Sequence, residues 1–276
     1  MIAAGELLDR LALARSHWER CGLCEHRCGA NRRSGTLGPC KASTEARVFR
    51  HRVEYGEELE LIPSHLFYLS GCDLRCKFCI AEANAFNPRI GAPLDADFLA
   101  QALSEGRAQQ PRNIQWVGGE PTIHLPAILS AMSGQQDLPP VVWKSDFYGT
   151  PSAFALLDGV VDTYVGDFKF GQDRCAKRIA SVDRYFETVT RNFVIASRQS
   201  DLIIRHLLLP GHFDCCYRRI VEWIAEHLPE VKFSLRDGFL PRWQAHHDED
   251  LCRPLDRATA ESAVRLAQTF NLNLVK

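Results

Sequence analysis

The most informative feature of the sequence is a group of three cysteines, Cys72, Cys76 and Cys79, spaced C-x3-C-x2-C. Three closely spaced thiolates can hold three corners of a cubane [4Fe–4S] cluster and leave the fourth iron without a protein ligand. Such an open iron can bind a small molecule, whereas a fourth cysteine would make the cluster an electron carrier only. A zinc knuckle is the alternative interpretation of the same spacing.

A second group of four cysteines lies closer to the N-terminus, at Cys21, Cys24, Cys28 and Cys40, spaced C-x2-C-x3-C-x11-C. A small, irregular module has too little apolar core to be stable without a cross-link or a bound metal. The four cysteines therefore predict metal binding. Four thiolates can close a tetrahedral zinc site or complete an iron–sulfur cluster with no open position. The spacing does not choose between zinc and an auxiliary cluster, which would relay electrons.

Two further motifs follow apolar, strand-like runs. Gly118, Gly119 and Glu120 come directly after the run NIQWV. The two glycines would let the backbone approach a ligand closely, and the carboxylate could accept hydrogen bonds from an ammonium group. Asp167 and Lys169 end another run and, being two residues apart on a strand, should face the same way. Taken alone, they are typical of a solvated ion pair.

The fifth strand-like run, LIIRHLLLPGH, contains Arg205 and His206. A charge in so apolar a run is costly unless it is paired. Because side chains alternate along a strand, His206 should face away from Arg205 and pack against a helix. Ser145 ends the third run, VVWKS.

Four cysteines lie outside the two groups. Cys215 and Cys216 open a helix, where a thiol pKa can fall, so one of them could be a redox or hydrogen-donor residue. Our preferred interpretation is that both are buried and inert. Cys175 and Cys252 have no partner at ligand spacing, and the sequence assigns neither of them a role.

The elements that position these residues alternate along the chain. Six strand-like runs alternate with helical stretches, which predicts a parallel sheet with right-handed crossovers. We divide the chain near residue 46, into an N-terminal helix with the four-cysteine module (1–46) and an α/β domain (47–276). The predicted strands are His65–Ser70, Asn113–Val117, Val141–Ser145, Thr163–Phe168, Leu202–Leu209 and Val231–Arg236. The predicted helices in the second domain are Asp95–Gln109, His124–Met132, Ser152–Leu157, Arg174–Ala196 (which could be broken), Tyr217–His227 and Leu255–Phe270.

The composition is ordinary for a soluble globular protein, with 24% charged and 46% hydrophobic residues and a formal net charge of −1. This charge gives no argument for binding to nucleic acid or to an anionic membrane. No apolar run is long enough to span a membrane, and charged residues interrupt the N-terminal stretch where a signal peptide would be apolar. Eleven cysteines, an odd number, favour thiolate–metal chemistry in a reducing compartment over disulfides. We therefore expect a cytoplasmic protein.

The segment GCDLRCKFC, with Phe78 before its last cysteine, resembles the radical S-adenosylmethionine (SAM) enzymes. The resemblance implies a partial (β/α)6 barrel with the small irregular cysteine-rich module at its N-terminus. It also implies that the first cysteine triad holds a [4Fe–4S] cluster whose open iron binds SAM. By the same resemblance, the other residues that would contact or lie near the cofactors are Phe78, Gly118, Gly119, Glu120 (to the SAM amino group), Ser145 (to the ribose), Asp167, Lys169 and Arg205 (to the carboxylate or ribose).

The nearest resemblance is to proteins related to pyruvate formate-lyase activating enzyme that carry a cysteine-rich N-terminus. It extends over nearly the whole chain, from CGLCEHRCGANRRSGTLGPC to the final helix. The chain departs from that family's pattern at Ile80-Ala81, where Gln-Asn often follows the last cluster cysteine. It departs again at Asp146-Phe147, where Asn-Gly is usual. Both positions lie toward the expected substrate side, so the substrate is not implied.

The resemblance implies reductive cleavage of SAM to a 5′-deoxyadenosyl radical that abstracts a hydrogen atom from a substrate. An electron donor such as flavodoxin or ferredoxin is implied as a partner. The substrate is left open between a glycyl-radical protein or other polypeptide and a small metabolite or peptide natural product. The rival hypothesis is a non-enzymatic interaction protein in which both cysteine groups hold zinc.

Overall fold

The computed structural model describes residues 4–56 and 58–275 of the chain. The strands are β1 Arg47–Glu54, β2 Ser64–Leu69, β3 Ala92–Pro93, β4 Asn113–Gly118, β5 Val141–Ser145, β6 Thr163–Asp167, β7 Asp201–Leu207, β8 Lys232–Arg236 and β9 Asn273–Leu274. The helices are α1 Ala4–Ser16, α2 Glu82–Ala85, α3 Ala96–Gly106, α4 Leu125–Ser133, α5 Pro151–Leu157, α6 Asp173–Ala180, α7 Tyr185–Gln199, α8 Arg219–His227 and α9 Arg257–Thr269.

All described strands join one sheet, in the order β3-β1-β2-β4-β5-β6-β7-β8-β9. The six strands predicted from the sequence, β2 and β4 to β8, are all parallel and follow one another in chain order. Among the described residues the outermost strands, β3 and β9, do not pair with each other, so the sheet stays open. The predicted α/β fold class is confirmed.

The two faces of the sheet carry different residues. Trp143 and Tyr164 belong to the main core, which the helices share. Their neighbours Val142, Val165 and Ile203 form a separate, small apolar cluster on the other face, here called the inner face. Because side chains alternate along a strand, the residue two positions beyond each of these three also lies on the inner face. Those residues are Lys144, Asp167 and Arg205, so the inner face becomes charged toward the carboxyl ends of the strands.

Three short or polar strands were not predicted. β1 pairs antiparallel with β2, and β3 pairs antiparallel with β1. The sequence of β1, RVFRHRVE, is rich in charge because only Val48 and Val53 are buried. β3 and β9 contain two residues each, which is too short for an apolar pattern to form.

The helices differ from the predicted ones mainly at their ends. The stretch predicted as Arg174–Ala196 is broken, since Ser181 and Arg184 adopt positive φ angles of 62° and 48° between α6 and α7. The helix predicted as Tyr217–His227 starts earlier, with a π-helical turn at Phe213–Arg218 that leads into α8. The final helix, α9, begins after Asp256, whose side chain accepts a hydrogen bond from the Thr259 amide.

The N-terminal segment packs directly onto the sheet and its helices. Helix α1 lies against α4 and α5 and buries Leu11 and Ala14. The irregular segment after it is tied to the loop beyond β5, where Cys24 forms an isolated β-bridge with Gly149. Strand β1 starts at Arg47, directly after the proposed boundary. Within the described residues, no helix combines the length and apolar character needed to cross a bilayer.

Candidate active site

The residues predicted to do chemistry lie at one edge of the sheet. Parallel strands place their carboxyl ends together, and ligands in α/β sheets bind outside those ends. The predicted residues sit at or just beyond the ends of five neighbouring strands, namely Cys72, Cys76, Cys79 and Phe78 after β2; Gly118, Gly119 and Glu120 at β4; Ser145 at β5; Asp167 and Lys169 at β6; and Arg205 in β7.

The loop that carries the cysteine triad is fixed by its backbone. The amides of Arg75 and Lys77 donate hydrogen bonds of 2.9 Å to the carbonyls of Ala180 and Ile179 at the end of α6. The Cys79 amide donates to the Cys76 carbonyl at 3.1 Å. The three thiols are therefore held by main-chain geometry and not by a core of their own.

The spacing of the three sulfurs argues against a single metal ion. A tetrahedral zinc site with Zn–S bonds of about 2.3 Å places its sulfurs about 3.8 Å apart. In the described part of the chain, the sulfurs of Cys72, Cys76 and Cys79 do not all lie within 4.8 Å of one another. A polynuclear cluster does not require such close spacing, because its cysteine ligands bind different irons. Burial raises the pKa of each thiol. The thiols therefore lose their protons when a metal binds.

Three buried carboxyl groups surround Cys72. The Cys72 Sγ lies 4.0 Å from Asp73 Oδ1 and 3.9 Å from Asp146 Oδ2. Burial and the charge of Glu120 raise the pKa of Asp73 to about 7. Burial and the charge of Asp146 raise the pKa of Glu120 to about 8. Burial, followed by Asp73, raises the pKa of Asp146 as well. A cationic group beside Cys72 would be stabilised by this cluster.

Sequence reasoning did not name Asp73 and Asp146 as site residues. Asp146 was noted only as a departure from a family pattern. The position of Asp73 directly after the first cluster cysteine was a usable signal, because a short acidic side chain there must lie beside the cluster loop. The approach of Asp146 to Cys72 needs the pairing of β4 with both β2 and β5, which no local pattern reveals.

The two glycines after β4 serve a backbone contact within the protein. A Cβ on Gly118, whose φ is +118°, would lie 2.3 Å from the Leu69 amide nitrogen. A Cβ on Gly119 would lie 1.7 Å from the Gly71 carbonyl oxygen. The glycines thus admit the backbone of the cysteine loop, and their approach to a ligand stays a prediction.

The Glu120 carboxylate is enclosed by groups of its own chain. It accepts hydrogen bonds of 2.8 Å from the Thr122 amide, the Ser145 hydroxyl and the Asp146 amide. Ser145 also accepts a bond of 3.0 Å from the Phe147 amide. Glu120 and Ser145 thus join the turn after β4 to the end of β5. Their contact with SAM stays a prediction.

Charged side chains on the inner face form a network beside Cys76. Asp167 accepts a hydrogen bond of 2.6 Å from Arg205 Nε and another bond from Lys169 Nζ. Although burial raises the pKa of Asp167, these two cations hold it well below its usual range. Its negative charge in turn raises the pKa of Lys169 against the effect of burial.

The same network contains Glu58, which sequence reasoning missed. Its buried carboxylate receives Lys144 Nζ at 3.1 Å and Arg236 Nη2 at 2.9 Å, and it lies 3.9 Å from Arg205 Nη1. Glu58 comes from the polar loop between β1 and β2, where no sequence pattern marks it. It provides the carboxylate partner that a buried group of cations requires.

Phe78 faces aromatic side chains of other loops. Its ring centroid lies 6.4 Å from that of Phe170 and 6.3 Å from that of Phe239, both in edge-to-face geometry. The ring thus anchors the cysteine loop on an apolar surface. Its proximity to the cofactors stays a prediction.

The N-terminal cysteines lie beside this site. Cys21, Cys24 and Cys40 are buried and Cys28 is exposed. The His26 ring bonds to the Asp73 carbonyl at 2.9 Å. Burial, followed by the charge of Asp73, raises the pKa of Cys24. Asp73 thus lies between the two cysteine groups.

The buried guanidinium of Arg32 lies among the N-terminal cysteines. Its Nη2 is 3.1 Å from the Cys21 Sγ and 3.9 Å from the Cys40 Sγ, and its Nη1 donates to the Ile123 carbonyl at 2.6 Å. Arg32 forms no ion pair with a carboxylate among the described residues.

A surface cleft of about 640 Å³ lies at the opposite edge of the sheet, where Thr163, Asp201 and Lys232 begin their strands. None of the predicted site residues lines it. The position expected for a ligand in a parallel α/β sheet is the other edge.

Comparisons with known proteins identify the family of the chain. The family model of the Radical SAM superfamily matches residues 66–224. The uncharacterized protein MJ0674 of Methanocaldococcus jannaschii is 35% identical over 276 residues, which cover 98% of this chain and 80% of that protein.

Solved structures share the fold. Streptococcus suis SuiB bound to the precursor peptide SuiA superposes with a TM-score of 0.53 at 13% identity, covering 74% of this chain and 46% of SuiB. SuiB bound to S-adenosylmethionine gives a TM-score of 0.52 at 14% identity, covering 74% and 47%. This chain thus spans about half the length of SuiB. Since the family model covers more than half of the chain and includes the first cysteine triad, the chain belongs to the radical SAM superfamily.

Proposed function

We propose that this protein is a radical SAM enzyme that abstracts a hydrogen atom from an organic substrate. Cys72, Cys76 and Cys79 would hold the [4Fe–4S] cluster. When both are bound, the cluster and SAM supply the chemistry, in which one electron cleaves the sulfonium C–S bond and gives methionine and a 5′-deoxyadenosyl radical. The observation that carries the proposal is the triad itself, because its sulfurs are too widely spaced for a single ion and lie at the carboxyl edge of a parallel sheet.

The charged groups around the triad are complementary to the ammonium group and the carboxylate of SAM. The buried carboxyl groups of Asp73 and Asp146, beside Cys72, would attract the ammonium group and the sulfonium of SAM. Lys169, beside Cys76, and Arg205, which shares Asp167 with it, would attract the SAM carboxylate. Asp167 would hold both cations in place through its hydrogen bonds. The chain's own role is thus to orient SAM at the open iron.

Aromatic packing behind the cysteine loop would exclude water. Phe78, Phe170 and Phe239 are all buried at this edge. A dry wall protects a reactive carbon radical from side reactions. The same wall fixes the loop, so the thiols need little rearrangement when metal binds.

We further propose that the N-terminal cysteines hold an auxiliary iron–sulfur cluster and not zinc. Within the described residues, no three of Cys21, Cys24, Cys28 and Cys40 have sulfurs that all lie within 4.8 Å of one another. The same holds for the sulfurs of Cys72, Cys76 and Cys79. A buried guanidinium without a carboxylate partner also requires nearby negative charge, which either metal bound by thiolates at Cys21 and Cys40 would supply, so Arg32 supports a metal site here without choosing the metal. Its position next to Asp73 suits an electron relay to the first cluster.

The proposed enzyme is similar to the proteins related to pyruvate formate-lyase activating enzyme. It would receive electrons from a donor such as flavodoxin or ferredoxin. The substrate is a polypeptide, a peptide natural product or a small metabolite. Superfamily membership and the sulfur spacing favour the enzyme over the rival zinc-binding interaction protein.

The test is SAM cleavage by the anaerobically reconstituted full-length chain. With dithionite and SAM, the wild-type protein should release 5′-deoxyadenosine and methionine, whereas a variant with Cys72, Cys76 and Cys79 replaced by Ala should release neither. Cys252→Ala is the matched control, because in the described part of the chain this thiol bonds only to the Glu249 carbonyl within its own turn. Equal cleavage by the triple variant and the control would refute the proposal.

A further inference from the structure

Three of the cysteines left without a metal role meet one histidine in space. Cys175 in α6 lies beside Cys215 and Cys216 in the π-helical turn, with a distance of 3.8 Å between the sulfurs of Cys175 and Cys215. The sulfurs of Cys215 and Cys216 are 3.9 Å apart. The Nδ1 of His212 is 3.2 Å from the Cys215 sulfur and 3.7 Å from the Cys216 sulfur. The sequence offered no partner for Cys175 at ligand spacing, and the fold brings these three residues to it from the turn after β7.

These distances are those of ligands around one tetrahedral ion. With Zn–S bonds of about 2.3 Å and Zn–N bonds of about 2.0–2.1 Å, tetrahedral geometry places two sulfurs about 3.8 Å apart and a sulfur and a nitrogen about 3.5 Å apart. All four ligand atoms lie within 4.8 Å of one another. Among the described residues, the ligand atoms of the two other cysteine groups are not spaced this closely.

The local backbone brings consecutive cysteines to the same point. In the turn Phe213–Arg218, the amides of Cys216 and Tyr217 both donate to the His212 carbonyl, each at 3.1 Å. This wider, π-helical winding is rare in proteins, and where it occurs it is often at a functional site. Gly171 allows the turn to approach, because a Cβ there would lie 2.4 Å from the Cys216 carbonyl oxygen.

We propose that Cys175, His212, Cys215 and Cys216 form a closed Cys3His zinc site. Cys175, His212 and Cys216 are buried, and Cys215 is partly exposed, which gives an ion a path in. Three thiolates and one imidazole complete the coordination of zinc and leave no open position, so the site is structural and not catalytic. The three thiols lose their protons when the metal binds.

The surroundings of His212 suit such a ligand once one hydrogen bond is exchanged for another. A zinc ion on Nδ1 requires the ring proton to be on Nε2, and Nε2 lies 3.6 Å from Asp250 Oδ2. Arg178 Nη2 donates to the same Nε2 at 2.9 Å in the metal-free ring. Metal binding exchanges this bond for the one to Asp250, and Arg178 keeps its bonds of 2.8 Å to Asp248 and 2.6 Å to Asp250.

The site would fix the support of the first cysteine triad. Zinc would join α6, through Cys175, to the turn after β7. The end of α6 provides the Ile179 and Ala180 carbonyls that hold the triad loop. The zinc site therefore stabilises the loop at a distance, without contact with SAM or the cluster.

The test is a difference in zinc content between full-length proteins reconstituted with zinc. The double variant Cys215→Ser/Cys216→Ser should hold one zinc ion per chain less than wild type. The matched control, Cys252→Ser, should hold the same amount as wild type. Because the result is a difference, zinc at any other site does not affect it. Equal zinc in the double variant and in wild type would overturn the proposal.

A second measurement uses the wild-type protein, so it tests the site even if the double variant fails to fold. Wild-type protein is treated with a thiol-alkylating reagent before and after removal of zinc by a chelator, and each cysteine is followed by mass spectrometry. Cys215, which is partly exposed, should be protected with zinc bound and become alkylated after its removal, while Cys252 should react equally in both states. Cys215 alkylation that is independent of zinc would refute the site.

Discussion

Gly119→Ala tests whether the turn after β4 holds the cysteine loop in place. The added Cβ would lie 1.7 Å from the Gly71 carbonyl oxygen and 3.3 Å from the Cys72 amide nitrogen. The two backbones must separate, and they lose the 2.8 Å bond from the Gly119 amide to Leu69 and the 2.9 Å bond from the Glu120 amide to Gly71. Two such bonds contribute about 1–3 kcal/mol together, and overpacking costs about 1–3 kcal/mol more.

The assay is the thermal midpoint of unfolding together with the iron content after reconstitution. A loss of about 2–6 kcal/mol lowers the midpoint by about 4–24 °C, at roughly 2–4 °C per kcal/mol. Displacement of Cys72 should also reduce the bound iron. Gly238→Ala is the matched control, because a Cβ there meets no atom within 4 Å. A Gly119→Ala protein with the iron content and midpoint of the control would refute this role of the turn.

Three other substitutions test the remaining contacts. Glu120→Ala leaves two buried amides unpaired and should cost about 1–3 kcal/mol for each in chemical denaturation, whereas Glu120→Gln keeps the acceptor oxygen and should lose less. Asp167→Asn should weaken SAM binding in calorimetry, because Lys169 and Arg205 lose the carboxylate that orients them; unchanged affinity would contradict the network. The lowered pKa of Asp167 also means that its pairs stabilise the fold above the ordinary carboxyl pKa and lose this effect as the pH falls, so Asp167→Asn should be less sensitive to acid than wild type. Arg32→Met should reduce the iron bound by the N-terminal cysteines, measured in the protein whose first triad is replaced by Ala; full iron retention would contradict the role of its charge.

Local patterns predicted the central sheet well. The bounds of β5 were predicted as Val141–Ser145, and all five of its residues are buried, which is why it begins with three consecutive apolar residues. The charged strand β1 gave no such signal, because only two of its eight residues are buried. His206 packs as predicted, since its ring stacks on Tyr217 at 5.4 Å on the helix-covered face.

Contacts between distant residues were beyond the sequence patterns. Cys175 and Cys215 are forty positions apart, and only the packing of α6 against the turn after β7 brings them together. The contact of Gly119 was missed for the same reason, since the neighbour that excludes a side chain is the backbone of Gly71 at the end of an adjacent strand. Spacing along the chain identifies ligands within one loop and fails for those that the fold assembles.

The central claim is that the cluster at Cys72, Cys76 and Cys79 has an open iron that binds SAM. The most direct measurement is the electron paramagnetic resonance spectrum of the dithionite-reduced, reconstituted chain with and without SAM. SAM should change the signal of the wild-type protein, and the Ala triple variant should show no signal that responds to SAM. A wild-type cluster signal unchanged by saturating SAM, or a SAM-dependent signal that persists in the triple variant, would contradict the account.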